Sequence, residues 1–102
     1  MTASLSDLIV VASAKARPGK EADLESALRE VAAPTRAQPG CIEFRLLRVK
    51  GDPSTMIGLE RWASEACLQE HHKGAHVKRL MERMADILAE PPNIIACDLL
   101  DE

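Results

Sequence analysis

The sequence predicts an α+β fold in which four strands form one antiparallel sheet and the helices lie on one of its faces. Two observations carry this. Apolar residues concentrate or alternate in four short stretches, and they recur at helical spacing in the intervals after the first and third of these. The order strand, helix, strand, strand, helical region, strand, joined by right-handed crossovers, gives the ferredoxin-like βαββαβ arrangement. The 102 residues suit a single domain over 1–102, with an ordered core at about 8–100.

The first strand follows a polar N-terminal tail. Leu8 to Ala16 is rich in β-branched residues and turns polar at alternate positions near its end. Arg17-Pro18-Gly19-Lys20 is a turn signal, and Leu24, Ala27, Leu28 and Val31 then keep the i, i+3, i+4, i+7 rule of an amphipathic helix from about Lys20 to Ala33. Pro34 is expected to kink that helix or start a short second segment, and Gln38-Pro39-Gly40 to end it. Cys41 to Val49 alternates, with Ile42, Phe44 and Leu46 on one face. After turn residues at 50–54, Thr55 to Trp62 returns with Ile57, Leu59 and Arg61 opposite Met56, Gly58, Glu60 and Trp62, completing a hairpin. Ser64 is an N-cap candidate for a short helix carrying Leu68 and His71, interrupted by Gly74. The last helix has the clearest period, Val77, Leu80, Met81, Met84, Ile87 and Leu88; Pro91-Pro92 stops it, and Asn93 to Leu100 reads as the fourth strand.

Both faces of the first and fourth strands are apolar. Leu8, Val10 and Ala12 stand opposite Ile9 and Val11, and Ile94 and Ala96 opposite Ile95, Cys97 and Leu99. In a two-layer domain one of those faces would be wet, and each side chain left so forfeits about 1.5–3 kcal/mol of burial, so a homodimer packed sheet to sheet is expected.

Composition narrows the function. A net charge of −3 with both signs interspersed, and only two aromatic residues, gives neither an electrostatic grip nor a stacking platform for nucleic acid. The apolar runs are shorter than the ~20 residues that cross a bilayer, so no membrane segment is expected. Met1 to Asp7 lacks the basic and apolar regions of a secretory leader. Three scattered cysteines without Cys-x-x-Cys pairing read as free thiols in a reducing cytoplasm. No phosphate-cradling glycine loop, dinucleotide fingerprint, serine elbow or zinc spacing is present.

What remains is Glu60-Arg61-Trp62 followed by His71, His72 and His76, a segment holding the single Trp and all three His. Trp62 and Glu60 share a strand face, which the following helical segment can bring under its imidazoles. Each has two readings. Trp62 is a core filler or a pocket wall. Glu60 is half of a structural salt bridge or a general acid or base. The histidines are a solvated helical edge or proton-transfer groups suited to neutral pH. His72 and His76 have i, i+4 spacing, but Gly74 interrupts and no local carboxylate completes a metal site. The cysteines read as small buried hydrophobes.

The first strand with its Arg-Pro-Gly-Lys turn, Ala33 to Cys41, Asp52-Pro53, Glu60-Arg61-Trp62, Leu68-x-x-His71 and Ala75-His76-Val77 together resemble the antibiotic biosynthesis monooxygenase family, from Leu8 to Leu100. The resemblance implies a ferredoxin-like fold in a homodimer whose sheets form a barrel. It also implies oxidation of quinols or polycyclic phenols by O2 without flavin, haem or metal; relatives include haem-degrading enzymes and an isomerase of a phosphorylated signal. By resemblance Trp62, His71 and His76 fall on positions that face a cavity between sheet and helices. Phe44 stands where many members have Tyr, and Val77 where many have an aromatic residue. The chain has no Tyr, so no phenolic donor is available, and its first strand has no Asn, which counts against the haem-degrading branch.

The resulting expectation is a cofactor-independent monooxygenase acting on a small quinol-like or polycyclic phenolic substrate. His71 or His76 serves as base, and Trp62, Phe44, Glu60 and Arg45 contact the substrate. An isomerase of a small phosphorylated carbonyl compound is the alternative, and it predicts cavity Arg or Lys from positions such as Arg45 or Lys73. A non-catalytic dimeric ligand-binding or stress protein is the third, and it predicts stabilisation by ligand without turnover.

Overall fold

A computed structural model of the chain describes residues 7–101. Its elements are β1 (Leu8–Lys15), α1 (Glu21–Arg36), β2 (Cys41–Arg48), β3 (Thr55–Trp62), α2 (Glu65–His72), α3 (Ala75–Ile87) and β4 (Asn93–Asp98). The polar tail and most of the segment that lacks leader features lie outside the described residues.

The four strands pair in the order β2-β3-β1-β4, every neighbour antiparallel, as the ferredoxin-like reading requires. Alternation then sorts the side chains. Val10, Ala14, Phe44, Met56, Glu60 and Trp62 are buried beneath the helices. Across the opposite face Val11 stands beside Leu59 on one side and Ile95 on the other, and Ser13 beside Ile57, none of them buried. The two faces of β1 therefore divide as the sequence predicts.

Helix α1 is held by one stripe: Leu24, Ala27, Leu28, Val31, Ala32 and Thr35 are its buried residues. Glu21 and Asp23 lie in its first turn, where carboxylates suit the helix dipole, and Glu21 reaches back to the Gly19 N–H at 3.0 Å. The helix runs on through Pro34 to Arg36, so no second segment starts there. Pro34 sits in the last turn, where one missing donor is a local loss, and fully buried Thr35 beyond it keeps that turn packed.

Strand β2 departs from simple alternation. Cys41 pairs with Trp62 and Glu43 with Arg61, so a bulge at Ile42 leaves that residue without a partner. Cys41, rather than Ile42, packs beside Trp62 and Phe44. The remaining boundary changes are short. Ala16 leaves β1 to make an isolated bridge with Leu88, Val49 falls outside β2, and β4 stops at Asp98. Leu88 has left α3 with extended backbone and is buried against the core.

Ser64 caps α2 as expected, its Oγ accepting from the Cys67 N–H at 3.2 Å. Gly74 is extended between α2 and α3. A Cβ there would meet His76 Cε1 at 2.8 Å and the His71 carbonyl at 3.2 Å, so a larger residue would crowd the His76 ring against the end of α2. Gly40 is a second tight approach, with φ of +84° and Cys67 Sγ only 2.3 Å from where its Cβ would be.

Candidate functional site

Small residues open the site. Ala12 pairs with Gly58 in the middle of the sheet, and between this hollow and the helices lies a cavity of about 340 Å³. Its walls are aliphatic and thioether side chains, including Val10 and Met56 from the sheet, Leu28 and Val31 from α1, and Leu80 and Met84 from α3, with Phe44 closing one side. Half-exposed Met81 and Ile94 stand among its outer lining residues. Glu60, His71 and His72 supply the titratable groups of this wall.

Glu60 is placed by strand register, between Val10 on β1 and Phe44 on β2, and is 8% exposed. Its Oε1 accepts a hydrogen bond from Trp62 Nε1 at 2.9 Å. Burial pushes the Glu60 carboxyl above its ordinary value, against the Trp62 hydrogen bond and the nearby His72, which act in the opposite direction. His71 comes from the last turn of α2 and is 6% exposed, its ring centroid 4.7 Å from that of Trp62. Burial, reinforced by His72 and His76, lowers its pKa to about 4. His71 is therefore neutral at pH 7. Its Nε2 stands 4.0 Å from Glu60 Oε1, too far for a hydrogen bond, and with a neutral imidazole the contact is not an ion pair. On the other side, His71 Nδ1 lies 2.7 Å from Gln38 Oε1, and His76 Nε2 shares that oxygen at 3.2 Å.

The structure gathers some of the sequence-predicted residues and separates others. Glu60, His71 and Phe44 line the cavity. Trp62 does not: it is fully buried behind the wall, donating to Glu60 and stacked against His71, because its ring fills the space under α2 beside Val10 and Leu68. His76 also stands behind the wall, joined to His71 through Gln38. Arg45 is on the opposite face of the sheet, because it alternates with Phe44 and Leu46 on β2; it is exposed and paired with Glu43 at 3.1 Å. Neither Arg45 nor Lys73 contributes to the cavity, and the wall holds no Arg or Lys. Gln38 was not a candidate on sequence grounds. Its neighbours Pro39 and Gly40 mark it only as part of a turn, and its partners lie 33 and 38 positions away.

Among the described residues no group of three His, Cys, Asp or Glu is arranged to hold a metal ion, and no helix is long and apolar enough to cross a membrane. Cys41, Cys67 and Cys97 are unpaired.

The family model described as antibiotic biosynthesis monooxygenase matches residues 7–83, more than half of the chain. The chain belongs to the antibiotic biosynthesis monooxygenase family. The matched span runs from the start of β1 into α3 and includes Glu60, Trp62, His71 and His76. Among relatives, "Putative monooxygenase YcnE" of Bacillus subtilis is 24% identical over 92 residues, covering 90% of this chain and 97% of that protein. The solved structure of PA3566 from Pseudomonas aeruginosa superposes with a TM-score of 0.89 at 28% identity, covering 94% of this chain and 96% of that one. Rv0793 from Mycobacterium tuberculosis gives 0.87 at 28% identity, covering 95% and 98%. The likeness to these solved structures covers nearly all of the chain, more than the span that the family model matches.

Proposed function

We propose that this chain is a cofactor-independent monooxygenase that oxidises a small quinol-like or polycyclic phenolic substrate with O2, His71 acting as base beside Glu60. The observation that carries the reading is a mostly apolar cavity of about 340 Å³ into which one buried carboxyl and one neutral imidazole converge. Membership of the antibiotic biosynthesis monooxygenase family agrees with it.

The chemistry asks little of the protein beyond these groups. His71 Nε2 takes the proton of the substrate hydroxyl or activated ring CH, leaving an electron-rich anion in a water-poor cavity. That anion passes one electron to O2, and the substrate radical and superoxide combine to form a carbon–oxygen bond. The peroxide then loses its remaining ring hydrogen and breaks the O–O bond, so a CH2 carbon becomes C=O and the second oxygen leaves as water. All four electrons come from the substrate and no reductant is consumed. The imidazolium formed in the first step stands 4.0 Å from Glu60, whose carboxylate stabilises it, and Trp62 Nε1 keeps that carboxylate in place. Phe44 and the aliphatic walls hold a flat apolar ring. An isomerase of a phosphorylated compound would need a cation for the phosphate, and the wall offers neither Arg nor Lys.

The same reading takes the protein as a homodimer closed over the open sheet face, in a cytoplasm where its three thiols stay reduced. Oxygen-electrode assays over a panel of hydroquinones and anthrones test the activity. Enzyme-dependent uptake is expected, and His71→Ala is expected to lower kcat by about 10²–10⁴-fold, the usual share of a general base. Ligands that raise Tm with no uptake would instead identify a binding protein, and uptake undiminished in His71→Ala would remove that residue from the mechanism.

A further inference from the structure

The contact that the proposed mechanism leaves unused is the one behind His71. Gln38 sits just past the end of α1, and its backbone is tied on both sides: its N–H donates to the Thr35 carbonyl at 3.1 Å and its own carbonyl accepts from the Cys41 N–H at 3.1 Å. Pro39 follows, and Gly40 turns with positive φ, so the side chain springs from a fixed point. Two imidazoles from two different helices meet its oxygen, His71 of α2 through Nδ1 and His76 of α3 through Nε2.

We propose that Gln38 is a positioning residue: its side-chain oxygen accepts from both imidazoles and holds His71 as the Nδ1–H tautomer, with the Nε2 lone pair turned toward the cavity beside Glu60. This rests on the reading of His71 as the proton acceptor. An amide oxygen has two lone pairs, which matches the two ring N–H groups that approach it. The reversed amide would present its NH2 to both rings and would move the His71 proton to Nε2. That N–H would face Glu60 Oε1 at 4.0 Å, beyond hydrogen-bond reach, inside a mostly apolar cavity. It would also make His71 an acid where the reaction needs a base. His76 orients the amide by occupying its second lone pair. The ring of His71 is otherwise bounded by groups that donate nothing to Nε2: Trp62, whose N–H is given to Glu60, and the tilted ring of His72. The titratable groups that face the imidazole are Glu60 from β3, His72 from α2 and His76 from α3.

Long-range proton–nitrogen NMR of the histidine side chains tests this without any substrate. In the wild-type protein at pH 7 His71 is expected to show a protonated Nδ1 and an unprotonated Nε2. In Gln38→Met the roughly tenfold population ratio that one hydrogen bond sustains is expected to be lost, so that the two tautomers mix and kcat falls about twofold. Gln38→Glu keeps an acceptor at the same place, so it is expected to restore the Nδ1–H tautomer and to raise the His71 pKa, moving the acidic limb of the pH profile upward by about one unit or more. A wild-type His71 protonated at Nε2, or a tautomer unchanged in Gln38→Met, would overturn the proposal. Should Gln38→Met not fold, the wild-type spectrum and the direction of the shift in Gln38→Glu still decide it. The expected tautomer together with no oxygen uptake on any substrate would sink the monooxygenase reading and leave the role of Gln38 standing.

Discussion

Burial governs Glu60 and His71, the two buried ionisable groups at the cavity, and it moves them in opposite directions. His71 is easier to keep neutral than an exposed histidine, and Glu60 is harder to ionise than an exposed glutamate. The consequence for stability has a definite sign. Unfolded His71 takes a proton near 6.5, whereas the folded residue resists it until about pH 4, so its contribution is complete above 6.5 and is lost as the pH falls through that window. Glu60 acts the other way, because its folded form is protonated at higher pH than its unfolded form, and acidification there favours the fold. Urea midpoints measured from pH 7 to pH 4 are expected to fall by an amount equivalent to at most about 3 kcal/mol. His71→Phe should flatten this decline, and Glu60→Gln should steepen it by removing the opposing proton. The lowered carboxyls of Glu25 and Asp52 add to acid sensitivity only below their ordinary values of 4.5 and 3.8, so the upper part of the window reports the cavity. A curve that is identical in His71→Phe would mean that His71 is solvated in the folded protein.

The α1–β2 turn passes close under α2 at Gly40. At Gly40 an added methyl group would be strained by the positive φ and would overlap Cys67 Sγ at 2.3 Å and Cβ at 2.7 Å. Gly19 has nearly the same φ, +86°, with nothing within 4 Å of the added atom. Gly19→Ala thus isolates the backbone cost, about 1 kcal/mol, and Gly40→Ala should cost that plus about 1–3 kcal/mol of overpacking. Chemical denaturation checks both; equal losses would mean that α2 shifts freely away from the turn. Adding Cys67→Ala to Gly40→Ala should recover only part of the excess, because the Cβ contact remains. Local elements of this kind differ in how far the sequence shows them. The stripe on α1, the Ser64 cap, the Gly74 break and the two faces of β3 were legible, because each follows from side chains a few positions apart. The Ile42 bulge was not, since it is set by how β2 meets Trp62 across a hairpin, nor was the reach of α1 past Pro34 to Arg36, where Thr35 is buried by tertiary packing. The candidate site was legible in its residue types and not in its layering. Sequence placed Glu60, Trp62 and the histidines together, but which of them face the cavity depends on ring packing under α2, and Gln38 enters only through contacts made more than 30 positions away.

For the whole molecule the decisive surface is the sheet face without helices. Val11, Leu59 and Ile95 form one row across three strands, Ile57 lies in the next, and half-exposed Leu47 extends the apolar surface onto β2. Ion pairs border this centre, Arg45 with Glu43 on β2 and Arg61 with Asp7 beside β1. An apolar centre ringed by charge is the pattern of a protein interface rather than of a solvated sheet. A second copy with the same sequence offers the same row, and sheet-to-sheet packing would bury each of these side chains, worth up to about 1.5–3 kcal/mol apiece. Light scattering coupled to size exclusion is therefore expected to give a dimer at micromolar concentration. Val11→Glu places a charge in the middle of the row, between Leu59 and Ile95, where burial would leave it unpaired, and should shift the protein to monomer. Ser26→Glu, on the exposed side of α1, should leave the dimer intact. Because the His71–Glu60 cavity lies on the other side of the sheet, monomeric Val11→Glu also separates assembly from chemistry. Oxygen uptake retained in that monomer would show that one copy holds a complete site, and a wild-type monomer would rule out the sheet face as a self-association surface.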